Sequence, residues 1–507
     1  MLQENRTFDT YFGMLNTYRQ ANGFTLSEDG KTYSVDGIDD KLTKFVNSDD
    51  EGQAFNLFKF KSACVDDMSS AWLESYGDVS RFDFTPSRPI LMDGFVHTAE
   101  GFAKSGAGDG LFTDTVGKRA MGYYDQTLLN YYYFMASEFA VSDRWFSPVS
   151  SKSTPNRIAT VTGGTTQGLV YDPFADDQIT SPLNNQTIFQ ELDQNSVSWK
   201  IYYSITAGGC TSKDGNCGPG TQSNAFPVSS FSDFAYSTKY LYENPQQAAC
   251  VAPTVGSQQA VGDSTNAFCV DPNHIAPIAQ YLTDVANNTL PNYAFIEAAY
   301  GEGDEHPGSN QSILVGQQKV ADIVNALMQS PSWSSSVFFL SYDEGGGPFD
   351  HVPPVPGHSN DNTDSSLGTI PDISTIAVNP DGFGPCLPTG GVPTANCDLR
   401  PTDPGANAAD APAQEGFAAQ LGFRVPNMVI SPFVRMHYVS HIPMDHTAIL
   451  KFVENRFINS SAHLTNRDAA QPNLLDFFDF AFVPWVTPPI PPIPVAPTAS
   501  TCTANNM

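Results

Sequence analysis

Short apolar runs ending in polar or acidic clusters recur along the 507 residues, separated by stretches with helical periodicity. Residues 197–203 (VSWKIYY), 293–296 (YAFI), 337–342 (VFFLSY) and 425–430 (VPNMVI) have the length and β-branched or aromatic content of buried strands. Residues 126–139, 313–328 and 447–457 carry apolar positions at helical spacing. This alternation predicts an α/β fold in which helices sandwich a central, mainly parallel sheet. Ligands in such folds bind beyond the carboxyl ends of the strands. Two of the runs pass there into acid-rich loops, YAFIEAAYGEGDEHP and FFLSYDEGGGPFDH.

Two regions read as insertions, about 205–275 with four cysteines and about 353–415 with abundant Pro, Gly and Asp. A single catalytic domain over 1–480 is expected, followed by a Pro-rich, extended tail over 481–507 that stays apart from the core. Aromatics at 12% exclude a disordered chain. The formal charge of -29 argues against nucleic acid as a partner and against anionic lipid. No run is long enough for stable membrane insertion.

Eight cysteines without a CxxC or Cys/His zinc spacing point to disulfides and an oxidising compartment. Cys210–Cys217 and Cys386–Cys397 each close a short polar loop and are the expected pairs, with Cys250 and Cys269 bracketing a third stretch. Sequons at Asn185, Asn287, Asn310 and Asn459 agree with a secreted glycoprotein. The opening MLQENRTF carries no signal peptide, so a secreted reading expects a chain that starts late.

Asp343 and Glu344 end a strand and precede Gly345-Gly346-Gly347, where glycine lets the backbone turn both carboxylates toward one ion. Ser153 and Thr154 precede PNR at a predicted helix amino end, a place that suits a cap or a nucleophile equally. His306, His351 and Asp445-His446 are the acid/base candidates, with His306 foremost because its acidic loop follows a strand. HExxH, GxSxG, GxxxxGK[ST] and strand-linked GxGxxG motifs are absent, which disfavours zincin, elbow-type esterase and P-loop chemistry.

ENRTFDTYFG, DRWFSPVSSKSTPNR, GDEHPG, SYDEGGGPFDHVPP and FRVPNMVISPFVR…MDHTAILKFVENRF resemble, in order, the phosphoesterase family of non-haemolytic phospholipases C and a related acid phosphatase. That family belongs to the alkaline-phosphatase-like superfamily, and the resemblance implies its fold. It also implies a single divalent metal held by Glu4, Asn5, Ser153, Asp343 and Glu344. Ser153 would be the nucleophile, with Thr154 the alternative in register. His306, or else His351, would be the acid/base, and Asn156, Asp445 and His446 would lie near the phosphate. Oxygen ligation favours Ca, Mg or Mn, with Zn still open.

Two departures stand out. Ser70, in DDMSSAW, occupies the place of a family histidine, and His97 is out of register to replace it. The family's apolar strand before ENR would have to precede Met1, so that strand is expected to be missing. The resemblance implies hydrolysis of a phosphate ester through a phosphoseryl intermediate. A phospholipase C-like phosphodiester hydrolase acting on a zwitterionic phospholipid or soluble ester leads. The alternatives are an acid phosphatase, a catalytically weakened secreted binding protein, and a sulfatase, whose CxPxR-type signature SKSTPNR does not fit.

Overall fold

The apolar runs become strands of one sheet whose eight members are, in chain order, β1 (Leu2–Gln3), β2 (Ala140–Ser142), β3 (Trp199–Tyr203), β4 (Ile275–Pro277), β5 (Tyr293–Glu297), β6 (Phe338–Tyr342), β7 (Asn427–Ile430) and β8 (Tyr438–Ser440). Their spatial order is β8-β2-β7-β6-β1-β5-β3-β4. Every neighbour pair is parallel except the two made by β7, which runs antiparallel to β6 and β2. A mainly parallel sheet is therefore what the alternation delivers, with one reversed strand. The computed structural model describes residues 1–79, 91–104, 112–164, 186–204, 274–298, 303–308, 311–354 and 421–498, with short stretches between 369 and 418 and at 502–503. Most of both predicted insertions, Asn185 and Asn310, and Cys210, Cys217, Cys250, Cys269 and Cys386 lie outside the described residues.

The helices that matter below are α1 (Phe8–Phe12), α2 (Asn130–Glu138), α3 (Ser153–Thr162), α4 (Ile278–Asn287), α5 (Ile313–Met328) and α6 (Thr447–Phe457). Two of the predicted spans are met in full. The third starts four residues late, at Asn130, because the Asp125 carboxylate accepts from Thr127 N and Oγ1 and bends the chain into a turn first.

Alternation along β6 assigns the helices to faces. Tyr342 meets Tyr11 of α1 at 5.3 Å between ring centroids, and its hydroxyl shares Glu305 with Tyr132 of α2. Phe339 and Ser341 point the other way, to Phe452 of α6 and to His446. Helices therefore cover both faces. Among the described residues no helix is long and apolar enough to cross a membrane.

Two expectations about the chain's ends need correction. Leu2 and Gln3 form a central strand, paired in parallel with β5 and β6, where the resemblance led none to be expected. The tail is extended but not separate. Trp485 is buried against Phe139, and its carbonyl accepts from Trp333 Nε1 at 2.9 Å. Further along, Asn130 bonds both Ile493 O and Val495 N, and Cys502 forms a disulfide with Cys64. Buried aromatic surface and backbone hydrogen bonds explain why Pro-rich sequence still docks.

One buried charge cluster ties α1 to the segments after β6 and before β7. Arg424 bonds Asp9 Oδ1 and Asp350 Oδ1, each at 2.9 Å, while His351 bonds Asp9 through Nδ1 at 2.6 Å and Asp36 through Nε2 at 3.0 Å. Burial pushes the His351 pKa down, but Asp9 and Asp36 outweigh it and Arg424 only partly opposes them, leaving it raised to about 9. A group raised on folding stabilises fully below its unfolded pKa, about 6.5, and loses that contribution as pH climbs through the folded value. Denaturant unfolding between pH 6 and pH 10 is therefore expected to show a loss on the order of 2–3 kcal/mol toward the alkaline end. His351→Gln should remove most of that slope; an unchanged slope would place its origin elsewhere.

Candidate functional site

Three strand ends converge at the carboxyl edge of the sheet. β1 ends at Gln3 and delivers Glu4 and Asn5; β6 ends at Tyr342 and delivers Asp343 and Glu344; β5 ends in Glu297 itself. Asn5 adopts φ 58, a left-handed conformation that Asn tolerates because its short polar side chain bonds locally. That turn lets consecutive side chains face one space. Opposite it, Gly346 takes φ 75, and a Cβ there would run into the Asn5 carbonyl. Backbone bonds from Glu4 N to Asp304 O (2.8 Å) and from Arg6 N to Glu344 O (3.1 Å) lock the two loops together.

α3 brings Ser153 to this edge as its first residue. Ser153 Oγ lies 3.2 Å from Asn5 Oδ1 and 3.4 Å from Glu4 Oε2. Asp343 Oδ1 accepts from the amides of Glu344 at 2.8 Å and Asn5 at 3.3 Å. Glu344 Oε1 accepts from Ser70 Oγ at 2.8 Å, and its other oxygen from Gly346 N. Of the five residues assigned to the metal by resemblance, Glu4, Asn5, Ser153 and Asp343 are thus gathered at one place, while the Glu344 carboxylate is taken up by Ser70 and Gly346. Ser70, where the family carries histidine, meets the site by holding Glu344.

Sequence reasoning missed the residue that joins these groups. Arg157, the arginine of PNR and one turn into α3, places Nη2 2.7 Å from Glu4 Oε1 and Nε 3.0 Å from Asp343 Oδ2, and bonds Glu297 through Nη1. All four side chains are buried. Burial and the neighbouring Glu4 carboxylate hold Asp343 up at about 6 despite Arg157, and burial lifts Glu297 to about 7. One guanidinium therefore faces three buried carboxylates. The signals were present: PNR lies within a motif, and Glu297 ends a strand.

The donors left facing Ser153 are hard oxygens on carboxylates and an amide, in a site with excess negative charge. That set fits a divalent cation such as Ca, Mg or Mn. A second acidic group, Asp9, Asp350 and His351, also has ligand atoms within 4.8 Å of one another. In that second group Arg424 pairs with Asp9 and Asp350, and the His351 pKa is raised to about 9.

His306 is half-buried. Burial lowers its pKa, but Asp67, Glu4 and Asp304 act more strongly and leave it raised. Its Nδ1 meets the Pro307 carbonyl. The preceding Glu305 has φ 74 and accepts from Tyr11 at 2.6 Å, Tyr342 at 2.7 Å and Tyr132, which fixes the loop carrying His306.

The other residues assigned by resemblance are structural in their contacts. Asn156 spends its amide on the 149–152 loop, bonding Val149 N, Ser151 O and Lys152 O. Asp445 pairs with Arg467 at 2.9 Å, accepts from Gln471, and caps α6 through Thr447 N. His446 bonds Thr160 Oγ1 at 2.9 Å and Ser341 Oγ at 3.2 Å; burial pushes it down to about 3, so it is neutral. His351 is committed to Asp9 and Asp36. These contacts tie Asn156, Asp445, His446 and His351 to the protein's own frame.

Because Arg157 offsets buried carboxylates, Arg157→Met is expected to destabilise the fold by roughly 3–5 kcal/mol. A divalent cation should recover more of the melting temperature in this variant than in the unaltered chain. Equal shifts in both would show that cation and guanidinium do not share those carboxylates.

Comparison with known proteins follows the same residues. The model of the phosphoesterase family matches residues 1–458. Phospholipase C B of Mycobacterium tuberculosis is 24% identical, over 96% of this chain and 78% of its own length. Non-specific phospholipase C1 of Arabidopsis thaliana is 25% identical, over 92% and 68% respectively. Non-hemolytic phospholipase C of Burkholderia pseudomallei is 27% identical over 67% of this chain, and the match spans 42% of that protein. The chain belongs to the phosphoesterase family and is a phosphoric ester hydrolase.

Proposed function

We propose that this chain hydrolyses a phosphodiester in the manner of a phospholipase C, with Ser153 as nucleophile and a divalent cation held by Glu4, Asn5, Ser153, Asp343 and Glu344. The observation that carries the reading is the convergence of Ser153 Oγ with Asn5 Oδ1 and Glu4 Oε2 at the amino end of α3. A helix amino end adds partial positive charge and free amides where a phosphate would sit. When bound, the cation supplies a lowered pKa for the Ser153 hydroxyl and offsets phosphate charge.

Ser153 Oγ, its proton already lost to solvent, attacks phosphorus in line as the alkoxide, forming the Oγ–P bond as the bond to the leaving oxygen breaks. His306, held protonated by the acidic groups around it, gives its proton to that oxygen. Water then attacks the phosphoseryl group, passes a proton to His306, and frees Ser153. Glu305 with its three tyrosines keeps the imidazole in place through the loop.

Charge supports a diester over a monoester. A diester carries one negative charge, whereas a monoester approaches two at neutral pH because its second pKa is about 6. The site already holds more carboxylates than arginines, so the smaller anion is opposed less. The chain's net charge of -29 favours a zwitterionic phospholipid or a soluble ester over an anionic lipid. The Cys64–Cys502 disulfide supports an oxidising, extracellular setting.

The test is turnover of a chromogenic phosphocholine diester and of the matching phosphomonoester, before and after chelation. Ser153→Ala should lower diester turnover by roughly 10³-fold or more while leaving the melting temperature within a few degrees. Chelation should abolish activity, and re-addition of Ca, Mg, Mn or Zn identifies the ion. An active Ser153→Ala protein with an inactive Thr154→Ala one would move the nucleophile by one residue. A large monoester preference would make the enzyme an acid phosphatase.

A further inference from the structure

Ser70 holds Glu344 with a short side chain, where the family carries the longer histidine. A serine hydroxyl reaches its acceptor only if its own backbone lies close, and the bond is lost beyond about 3.5 Å. Here Ser70 Oγ donates to Glu344 Oε1 at 2.8 Å. The segment that supplies this precision, residues 60–71, contains neither helix nor strand. No ladder of backbone bonds fixes it, so its place depends on ties to other parts of the chain.

Ile313 N, at the start of α5, donates to Ala63 O at 3.1 Å, and Arg119 Nε donates to Asp67 O at 2.9 Å. Met68 and Ser69 lie against the turn after Glu344: a Cβ on Gly347 would come within 2.8 Å of Met68 Cβ and 2.6 Å of Ser69 O. The covalent tie is Cys64–Cys502, which joins positions 438 apart. Cys502 is reached by the Pro-rich tail. Trp485 anchors that tail at the amino edge of the sheet, beside Phe139 and bonded to Trp333 Nε1. Farther on, Asn130 bonds Ile493 O and Val495 N at the start of α2, whose first turn reaches Glu305 through Tyr132. The tail therefore passes from the amino edge toward the carboxyl edge and is joined, through sulfur, to the loop that carries Ser70. Pro488, Pro489, Pro491 and Pro492 have no N–H to give, so backbone bonds can hold it at few points.

We propose that the Cys64–Cys502 disulfide is a positioning clamp for the cation site: it fixes the 62–70 loop, keeps Ser70 Oγ on Glu344, and so holds the Glu344 carboxylate in one orientation. Its effect on cation binding rests on the function proposed above; the restraint on Glu344 does not. Ser70 acts through Glu344, and the two cysteines act through Ser70, so all three are positioning residues. With the disulfide opened, Trp485 and Asn130 still hold the tail, but Cys64 is no longer fixed by it. The loop gains freedom at its start, and a hydroxyl bond of such short reach is the first to lengthen. Gly346 N still donates to the other oxygen of Glu344, so the carboxylate swings rather than leaves.

The experiment compares the unaltered chain, Cys64→Ser/Cys502→Ser, Ser70→Ala and the triple variant. Hydrogen exchange is read on chelated protein at 68–70 and 344–347, with 293–296 of β5 as control, and calorimetry reads affinity for calcium and for manganese, each alone. Losing the disulfide should speed exchange at 68–70 and 344–347 about tenfold or more and leave 293–296 unchanged. Cation affinity should fall roughly tenfold in the double variant and in Ser70→Ala, and the triple variant should lose little more. Reduction of the folded, unaltered chain by a dithiol gives the same exchange readout without substitution. The dithiol closes to a disulfide while Cys64 and Cys502 each take up one electron and one proton, and mass spectrometry of the alkylated thiols confirms the opening. Unchanged exchange at 344–347 would overturn the proposal, as would a disulfide effect on affinity of equal size with and without Ser70. Protection lost at 293–296 as well would make the bond a support of the whole sheet, and would equally overturn it. Exchange that responds as expected without cation binding by either protein would support the clamp on Glu344 and sink the cation reading.

Discussion

Three carboxylates meet one guanidinium at the carboxyl edge of the sheet, and the rest of the site depends on that imbalance. Arg157 touches Glu4 from β1, Glu297 from β5 and Asp343 from β6, so a single side chain joins three adjacent strand ends. Removing ions from water costs several kcal/mol each unless partners restore the lost solvation. Arg157 restores it on one oxygen of each carboxylate, while Glu4 Oε2 stays turned toward Ser153. The same contacts that neutralise the acids therefore also aim them. A site built this way is held rigidly and keeps an excess of negative charge.

Around that centre the protein separates positioning from chemistry by environment. His446 and His306 are both close to acids, yet burial without strong pairing leaves the first neutral, while Asp67, Glu4 and Asp304 keep the second charged. The neutral imidazole pins α3 to β6 through Thr160 and Ser341. Asp445 is fully engaged by Arg467, Gln471 and Thr447, and it anchors the start of α6. Only groups whose remaining capacity faces Ser153 are placed to act on a substrate.

What the sequence made legible follows from how local each signal is. Helices 313–328 and 447–457 were readable because apolar periodicity within one segment decides them. The gathering of Glu4, Asn5, Ser153, Asp343 and Glu344 was readable only through ordered motifs, since no spacing rule links residues three hundred positions apart. Arg157 escaped because an arginine beside a nucleophile looks like a phosphate ligand or a surface charge until its three partners are seen. The docking of Trp485 escaped because composition alone cannot show which aromatic pocket, here beside Phe139, receives a Pro-rich tail. His351 and His446 carried the right residue type in the right motif, but their bonds to Asp9 and Asp36, and to Thr160 and Ser341, join segments far apart in sequence and could not be read from it.

β1 links the two edges of the sheet. It is two residues long, yet its carboxyl end positions Glu4 and Asn5, and its amino end faces an apolar cavity between β5 and β6. Strand pairing is cooperative with side-chain packing on both faces, so a two-residue segment held at three register positions is a weak anchor by itself. Glu4 N bonding Asp304 O and Arg6 N bonding Glu344 O supply the missing restraint from the site side. The carboxylate cluster therefore stabilises the strand that carries it. Precision at Ser153 is then a property of the whole central strand position, not of the loop residues that hold the ligands.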